Sequence, residues 1–275
     1  MSLSFCSFSS GSSGNSYLIK TEEAAVLIDA GISASRIIKG LFRTDTPKEK
    51  VKALFLTHEH HDHVTGARVL LKKLTEAKVY ASSGTMEGAV RRDIYEKRSF
   101  SNEISEDRRI VIVQDEAIKI ADMTVYAFRT LHDAAESFGY HISANGKSIA
   151  ILTDTGFVPE EIVNYVADAD VLVLESNHDT ELLRRGRYPH YLKQRILSDH
   201  GHLSNSQAAD TLLRLYGYHD KKRVVLLAHL SAENNTPAIA ERTVLTALAR
   251  EGLYTGSDLY MGVLLRDEES LLYRL

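Results

Sequence analysis

The sequence predicts an α/β fold in which mixed β-sheets are covered by helices. Short apolar strands joined by brief connections crowd the first part of the chain, and strands alternate with helices through the second part. No low-complexity linker, fixed-period repeat or composition break interrupts the pattern, so residues 1–275 are expected to form one domain.

In order, Leu3 to Phe8 and Tyr17 to Lys20 read as strands, with the Ser/Gly run Ser9 to Ser16 a tight loop between them. Ala24 to Asp29 (AAVLID) is an apolar strand ending in an aspartate; Gly31 follows, and Ile32 to Leu41 reads as a helix. Val51 to Thr57 (VKALFLT) is the next buried strand. From His63 to Leu74 apolar residues recur at helical spacing. Val79 to Ala81 is a short strand, and Ser83 to Glu106 is polar, helical first and then irregular. Strands are expected around Arg109–Val113, Met123–Leu131, Phe138–Ser143 and Ser148–Leu152, with Asn145-Gly146 as a hairpin signal between the last two. Pro159 to Val166 reads as a helix with proline in its first turn, and Val171 to Glu175 as a buried strand. Asp179 to Gln194 is basic and helical in two pieces. Ser206 to Tyr216 is an amphipathic helix, Arg223 to Ala228 a strand and Pro237 to Arg250 a helix.

Composition narrows the function classes. No stretch approaches the roughly 20 apolar residues that span a bilayer, and the N-terminus lacks the basic leader of a signal peptide. A single cysteine, Cys6, rules out an internal disulfide and fits a reducing cytoplasm. A net charge of −4 argues against a globally basic nucleic-acid binder and leaves room for a local basic groove.

The chemistry lies in the histidines. His58, His60, Asp62 and His63 sit where a strand ends and a helix begins. Residues two apart in an extended segment point the same way, so His58 and His60 share one target, while the turn into the helix carries Asp62 and His63 towards another. Catalytic zinc typically takes three protein ligands, so two ions need more than this segment offers. His132, Asp154 and His229 each follow a strand and complete the set. A carboxylate such as Asp154 can bridge two ions roughly 3.5–4 Å apart. Asp29 also ends a buried strand and is expected to accept hydrogen bonds that fix the ligand loop. His61, His141, His178, His190, His200 and His219 read as ordinary, half-exposed histidines.

In type and order, Asp29, His58-x-His60-x-Asp62-His63, His132, Asp154 and His229 resemble the metallo-β-lactamase fold superfamily. The resemblance implies a four-layer αβ/βα sandwich with metals at one edge between two sheets. It implies His58, His60 and His132 on one metal, Asp62, His63 and His229 on the other, and Asp154 bridging. Glu175 in LESNHD, the Gly201-His202-Leu203-Ser204-Asn205 element and Ala228-His229-Leu230-Ser231 resemble the nuclease branches, which implies a Glu175–His202 dyad assisting the leaving group. The opening FCSFSSGSSGNSYLI, the HDAAESFGYHI segment and ESNHD resemble the YycJ/WalJ branch of bacterial exonuclease-like proteins, implying action from 5′ ends of DNA. The stretch from Asp154 to His229 is too short for the inserted domain of the long RNA-cleaving members, and no Gly/Pro-rich arm of the tRNA-processing kind occurs.

The expectation is therefore a nuclease with two divalent ions, Zn²⁺ or Mn²⁺ with Fe²⁺ also compatible, in which a bridging hydroxide attacks phosphorus. Asp62, Asp154, Glu175 and His202 would carry catalysis. Ser12, Ser13 and Asn15 of the Ser/Gly loop, with Ser204 and Asn205, are expected at the substrate. The basic stretch Arg184 to Arg195 is the expected strand-binding rim, with Tyr188 and Tyr191 available to stack on bases; the other basic clusters, Arg91–Arg92, Lys97–Arg98 and Lys221–Arg223, read as solvated faces. Two alternatives stay open: a thioester or lactone hydrolase using the same ions, and a metal-bound regulatory protein.

Overall fold

The computed structural model describes residues 2–95, 104–218 and 221–275. Two seven-stranded mixed sheets lie face to face. The first holds β1 (Ser4–Ser9), β2 (Ser16–Lys20), β3 (Ala25–Ile28), β4 (Val51–Phe55), β5 (Lys78–Ala81) and β6 (Arg109–Val111), in sequential order, with β14 (Tyr273–Arg274) added antiparallel to β1. Strands β1 to β3 form an antiparallel meander, and β3 to β6 run parallel. The second sheet repeats that plan. Strands β7 (Ile118–Ile120), β8 (Met123–Arg129), β9 (Phe138–Ala144) and β10 (Lys147–Leu152) are antiparallel; β10, β11 (Val171–Glu175), β12 (Arg223–Ala228) and β13 (Leu259–Val263) run parallel.

Three apolar layers hold this together. Phe5, Tyr17, Ile19, Val26 and Phe55 of one sheet interleave with Val125, Tyr140, Ile142, Val173 and Leu226 of the other. Residues of alternate parity on the first sheet, such as Leu18, Leu27 and Leu54, pack under helices α1 (Ala34–Arg43) and α3 (Ala67–Lys73). Leu152, Leu172 and Val225 of the second sheet pack under α5 (Glu160–Val166), α8 (Asn205–Tyr218) and α9 (Pro237–Arg250). Strand residues buried on both faces account for the unbroken apolar runs at β3, β11 and β12. The result is the helix–sheet–sheet–helix sandwich expected.

Several boundaries differ from expectation. The helical pattern from His63 to Leu74 is two helices, α2 (His61–Val64) and α3, broken at Thr65-Gly66. The break is imposed from outside: Gly66 N–H donates to Ala30 O at 2.7 Å, and a Cβ there would meet Ile32 O at 2.0 Å. Helix α4 is Ser83–Tyr95; the irregular stretch expected after it, with Lys97 and Arg98, falls partly outside the described residues. The basic segment is two helices, α6 (Thr180–Arg185) and α7 (His190–Leu197). Strands β7, β13 and β14 were not anticipated. Arg223, expected on a solvated face, is buried against Tyr216.

The sheets are also tied by polar bonds beside the histidine cluster. Tyr140 Oη on β9 donates to Leu56 O at 2.6 Å, and Phe138 N–H donates to Thr57 O at 2.9 Å. Among the described residues no helix is long and apolar enough to cross a membrane.

Candidate metal centre

The strand ends beside this seam converge. Strand β4 leads into His58, β10 into Asp154, β11 ends on Glu175 and β12 leads into His229. Asp29, Asp154 and His229, each just past a strand end, have φ of 60°, 58° and 56°. A left-handed residue breaks the extended backbone there. The conformation is uncommon outside glycine and clusters where function demands it. Gly31 supports the same region. A Cβ on it would lie 1.6 Å from Asp62 O, so only glycine lets this loop pack on the ligand segment.

The structure brings the seven expected ligands together. Candidate ligand atoms of His58, His60 and His132 lie within 4.8 Å of one another, as do those of Asp62, His63 and His229. His60 Nδ1 faces His132 Nε2 at 3.2 Å, and Asp62 Oδ2 lies 3.2 Å from His229 Nε2 and 3.5 Å from His63 Nε2. Asp154 lies between the triads. Its Oδ2 is 3.4 Å from His63 Nε2, and its Oδ1 is 3.4 Å from His229 Nε2 and 3.9 Å from His132 Nε2. His58 Nε2 and Asp154 Oδ2 are buried without a hydrogen-bond partner. Buried polar atoms are normally satisfied, so these two orphans, within a set of imidazoles and carboxylates, fit divalent cations.

The ring nitrogens on the far side of three of these imidazoles are engaged. His63 Nδ1–H donates to Asp29 Oδ2 at 2.7 Å, His229 Nδ1–H to Glu175 Oε1 at 3.0 Å, and His132 Nδ1–H to Gly201 O at 3.0 Å. Each bond fixes the tautomer that leaves Nε2 facing the cluster. Asp29, fully buried, also accepts from Thr57 N–H and Thr57 Oγ1.

Glu175 is fully buried and does more than the sequence suggested. Its Oε1 accepts from His202 Nδ1–H at 2.7 Å as well as from His229, while Oε2 accepts from the backbone N–H groups of Thr155 and Leu203. One carboxylate thus orients a candidate ligand and the candidate proton donor. The His202 and His229 rings stack with centroids 5.3 Å apart.

Electrostatics divides the cluster. Burial drives His58 well below its usual value and His132 down to about 4. Burial also opposes charge on His63 and His229, yet the carboxylates of Asp154, Asp29 and Asp62 raise His63 well above the ordinary range. Asp154, Asp62 and Glu175 lift His229 to about 10. Protons on these two rings offset the buried carboxylates, the service a bound cation would render.

The other expected residues divide between surface and interior. Ser12 and Ser13 are exposed at the tip of the Ser/Gly loop. Asn15, expected at the substrate, is buried, with Nδ2 3.1 Å from His63 Nε2 and Oδ1 accepting from Gly11 N–H. Ser204 caps the start of α8, its Oγ accepting from Gln207 N–H, and Asn205 is buried among Ser176 and Asn235. All three side chains are tied into internal hydrogen bonds, and Asn15 among them stands beside the His63 nitrogen that faces the cluster. His178, expected to be half-exposed, is 1% exposed and held down at about 4 by burial; His61, His190 and His200 are exposed, and His219 lies outside the described residues. Sequence reasoning missed Thr57, Ser10, whose Oγ accepts from His229 N–H at 2.9 Å, and Asn177, whose Nδ2 donates to His229 O at 2.8 Å.

Comparison with known proteins agrees with this geometry. Residues 24–230, which include every candidate ligand, match the family described as the β-lactamase superfamily domain. The chain is 36% identical over 249 residues to exodeoxyribonuclease WalJ of Streptococcus pneumoniae serotype 2, covering 90% of this chain and 89% of that protein. It is 34% identical over 257 residues to exodeoxyribonuclease YycJ of Bacillus anthracis, covering 93% of each. The crystal structure of the metallo-β-lactamase fold protein YhfI from Bacillus subtilis superposes with a TM-score of 0.70 at 16% identity, over the whole of both chains, and so shares the fold. The chain belongs to the β-lactamase superfamily, in the branch that holds the WalJ and YycJ proteins.

Proposed function

We propose that this protein is a metal-dependent exodeoxyribonuclease that removes nucleotides from 5′ ends of DNA with two divalent ions, Zn²⁺ or Mn²⁺, in the cytoplasm. The observation that carries the reading is Asp154, with one oxygen near His63 and the other near His132 and His229, beside the Glu175-held His202. His58, His60 and His132 would hold one ion and Asp62, His63 and His229 the other, with Asp154 shared. Divalent ions, when bound, neutralise charge on phosphoryl oxygens and make water nucleophilic near neutral pH. The chain's own contribution is orientation. Asp29, Glu175 and Gly201 O fix three imidazoles before substrate arrives, so little reorganisation accompanies the reaction. His202, its Nδ1 taken by Glu175, has Nε2 left to protonate the departing oxygen.

The test uses metal-loaded protein with single-stranded DNA labelled at either end, the matching RNA, and a thioester. Mononucleotide release from the 5′ end of DNA is expected, and His202→Ala should slow it by about 10²–10⁴ with metal content unchanged. Release from the 3′ end, or faster thioester turnover, contradicts the reading; a His202→Ala variant at full rate removes the proton donor from it.

A further inference from the structure

Beside the cluster, Arg195 in the last turn of α7 forms a two-pronged pair with Asp133. Nη2 donates to Oδ1 at 2.9 Å and Nε donates to Oδ2. The same Asp133 Oδ1 lies 3.4 Å from His132 Nε2 and 4.0 Å from His60 Nε2. A single carboxylate therefore stands between a guanidinium and two imidazoles of the candidate metal centre. The side chains are 47% and 30% exposed, and an ion pair this wet contributes little, so another anion can take its cation at small cost. Tyr191 precedes Arg195 by four residues, which places both on one helix face, and it is 74% exposed.

We propose that the Asp133–Arg195 pair is a latch opened by substrate: a phosphate of the DNA strand replaces Asp133 on the Arg195 fork, and Tyr191 stacks on a neighbouring base. The inference rests on the nuclease reading above and specifies how a strand enters that site. A guanidinium fork matches phosphate oxygens as well as it matches a carboxylate. Asp133 plays two parts. It orders the fork over the cluster in the free protein, and it competes with the incoming phosphate. An exposed ring one turn from a cation is the pairing that holds single strands without reading sequence.

The opposed roles give opposed mutant signs. Binding is measured by fluorescence anisotropy on metal-loaded protein with a 5′-phosphorylated oligothymidylate made of cleavage-resistant phosphorothioate linkages, and metal content is checked for every variant. Arg195→Ala should weaken binding about tenfold and flatten the slope of log affinity against log salt by about 0.7, the share of one phosphate on a single strand. Arg195→Lys should recover part of the loss, because lysine lacks the fork. Asp133→Asn should tighten binding, by up to about fivefold. Tyr191→Ala should weaken it about fivefold while Tyr191→Phe leaves it unchanged. Weaker binding in Asp133→Asn, or unchanged affinity and salt slope in Arg195→Ala, overturns the latch while the nuclease reading stands. A wild-type protein that neither binds nor cleaves DNA overturns both.

Discussion

Asp29 accepts three hydrogen bonds with its side chain, from Thr57 N–H, Thr57 Oγ1 and His63 Nδ1–H, and it does so fully buried and at positive φ. Asparagine tolerates the same backbone and volume but can present an N–H to His63 Nδ1, which drives the proton to Nε2, the nitrogen facing the cluster. Asp29→Asn is therefore expected to weaken metal affinity about 10–100-fold in a chelator competition; unchanged affinity would show that the His63 tautomer does not matter. The ligand candidates were legible in the sequence because His58, His60, Asp62 and His63 crowd one strand end and the remaining three follow apolar runs. Thr57, Ser10 and Asn177 were not, since a bond to a ligand's backbone or second ring nitrogen depends on loop geometry that no residue type announces. The burial of Asn15, Ser204 and Asn205 is not legible either, because small polar residues beside glycine or at a helix start look alike whether they turn outward or inward.

At the scale of elements, the seam between β9 and the end of β4 positions the ligand segment. Tyr140 carries the side-chain part of that seam, through its bond to Leu56 O two residues before His58. Tyr140→Phe leaves that carbonyl with one fewer partner at little change in packing. It should cost about 1–3 kcal/mol, seen as a loss of roughly 2–4 °C in melting temperature per kcal/mol. A melting temperature equal to wild type would mean the Tyr140 hydroxyl adds nothing to the seam beyond the ring's packing and the Phe138–Thr57 backbone bond. The long strands and helices could be read locally from apolar runs and helical spacing. The short edge strands could not: β14 pairs with β1, at the opposite end of the chain, and nothing near Tyr273 signals it. The break between α2 and α3 was hidden for a similar reason, because the 30–32 backbone imposes it on a sequence that is helical by pattern.

For the whole molecule, the sandwich gathers the carboxyl ends of β4, β10, β11 and β12 at one edge. Buried there are Asp29, Asp154 and Glu175 with His58, His63, His132 and His229. Such a cluster is stable only when its negative charge is offset, by protons on His63 and His229 or by cations. Metal removal should accordingly lower the melting temperature, by the equivalent of about 4 kcal/mol where free metal stood at a thousand times its dissociation constant; an indifferent melting curve would place the metal outside the folded core. Expectation and structure agree best at this scale: apolar runs and helical spacing imply mixed sheets under helices, and the resemblance to the metallo-β-lactamase fold implies the four-layer order. The most direct test is elemental analysis of purified, metal-reconstituted protein. The account expects about two divalent ions per chain, falling to one or none in Asp154→Ala with the fold retained by circular dichroism. A wild-type protein that takes up no divalent metal, or an Asp154→Ala variant that keeps both ions, would contradict it.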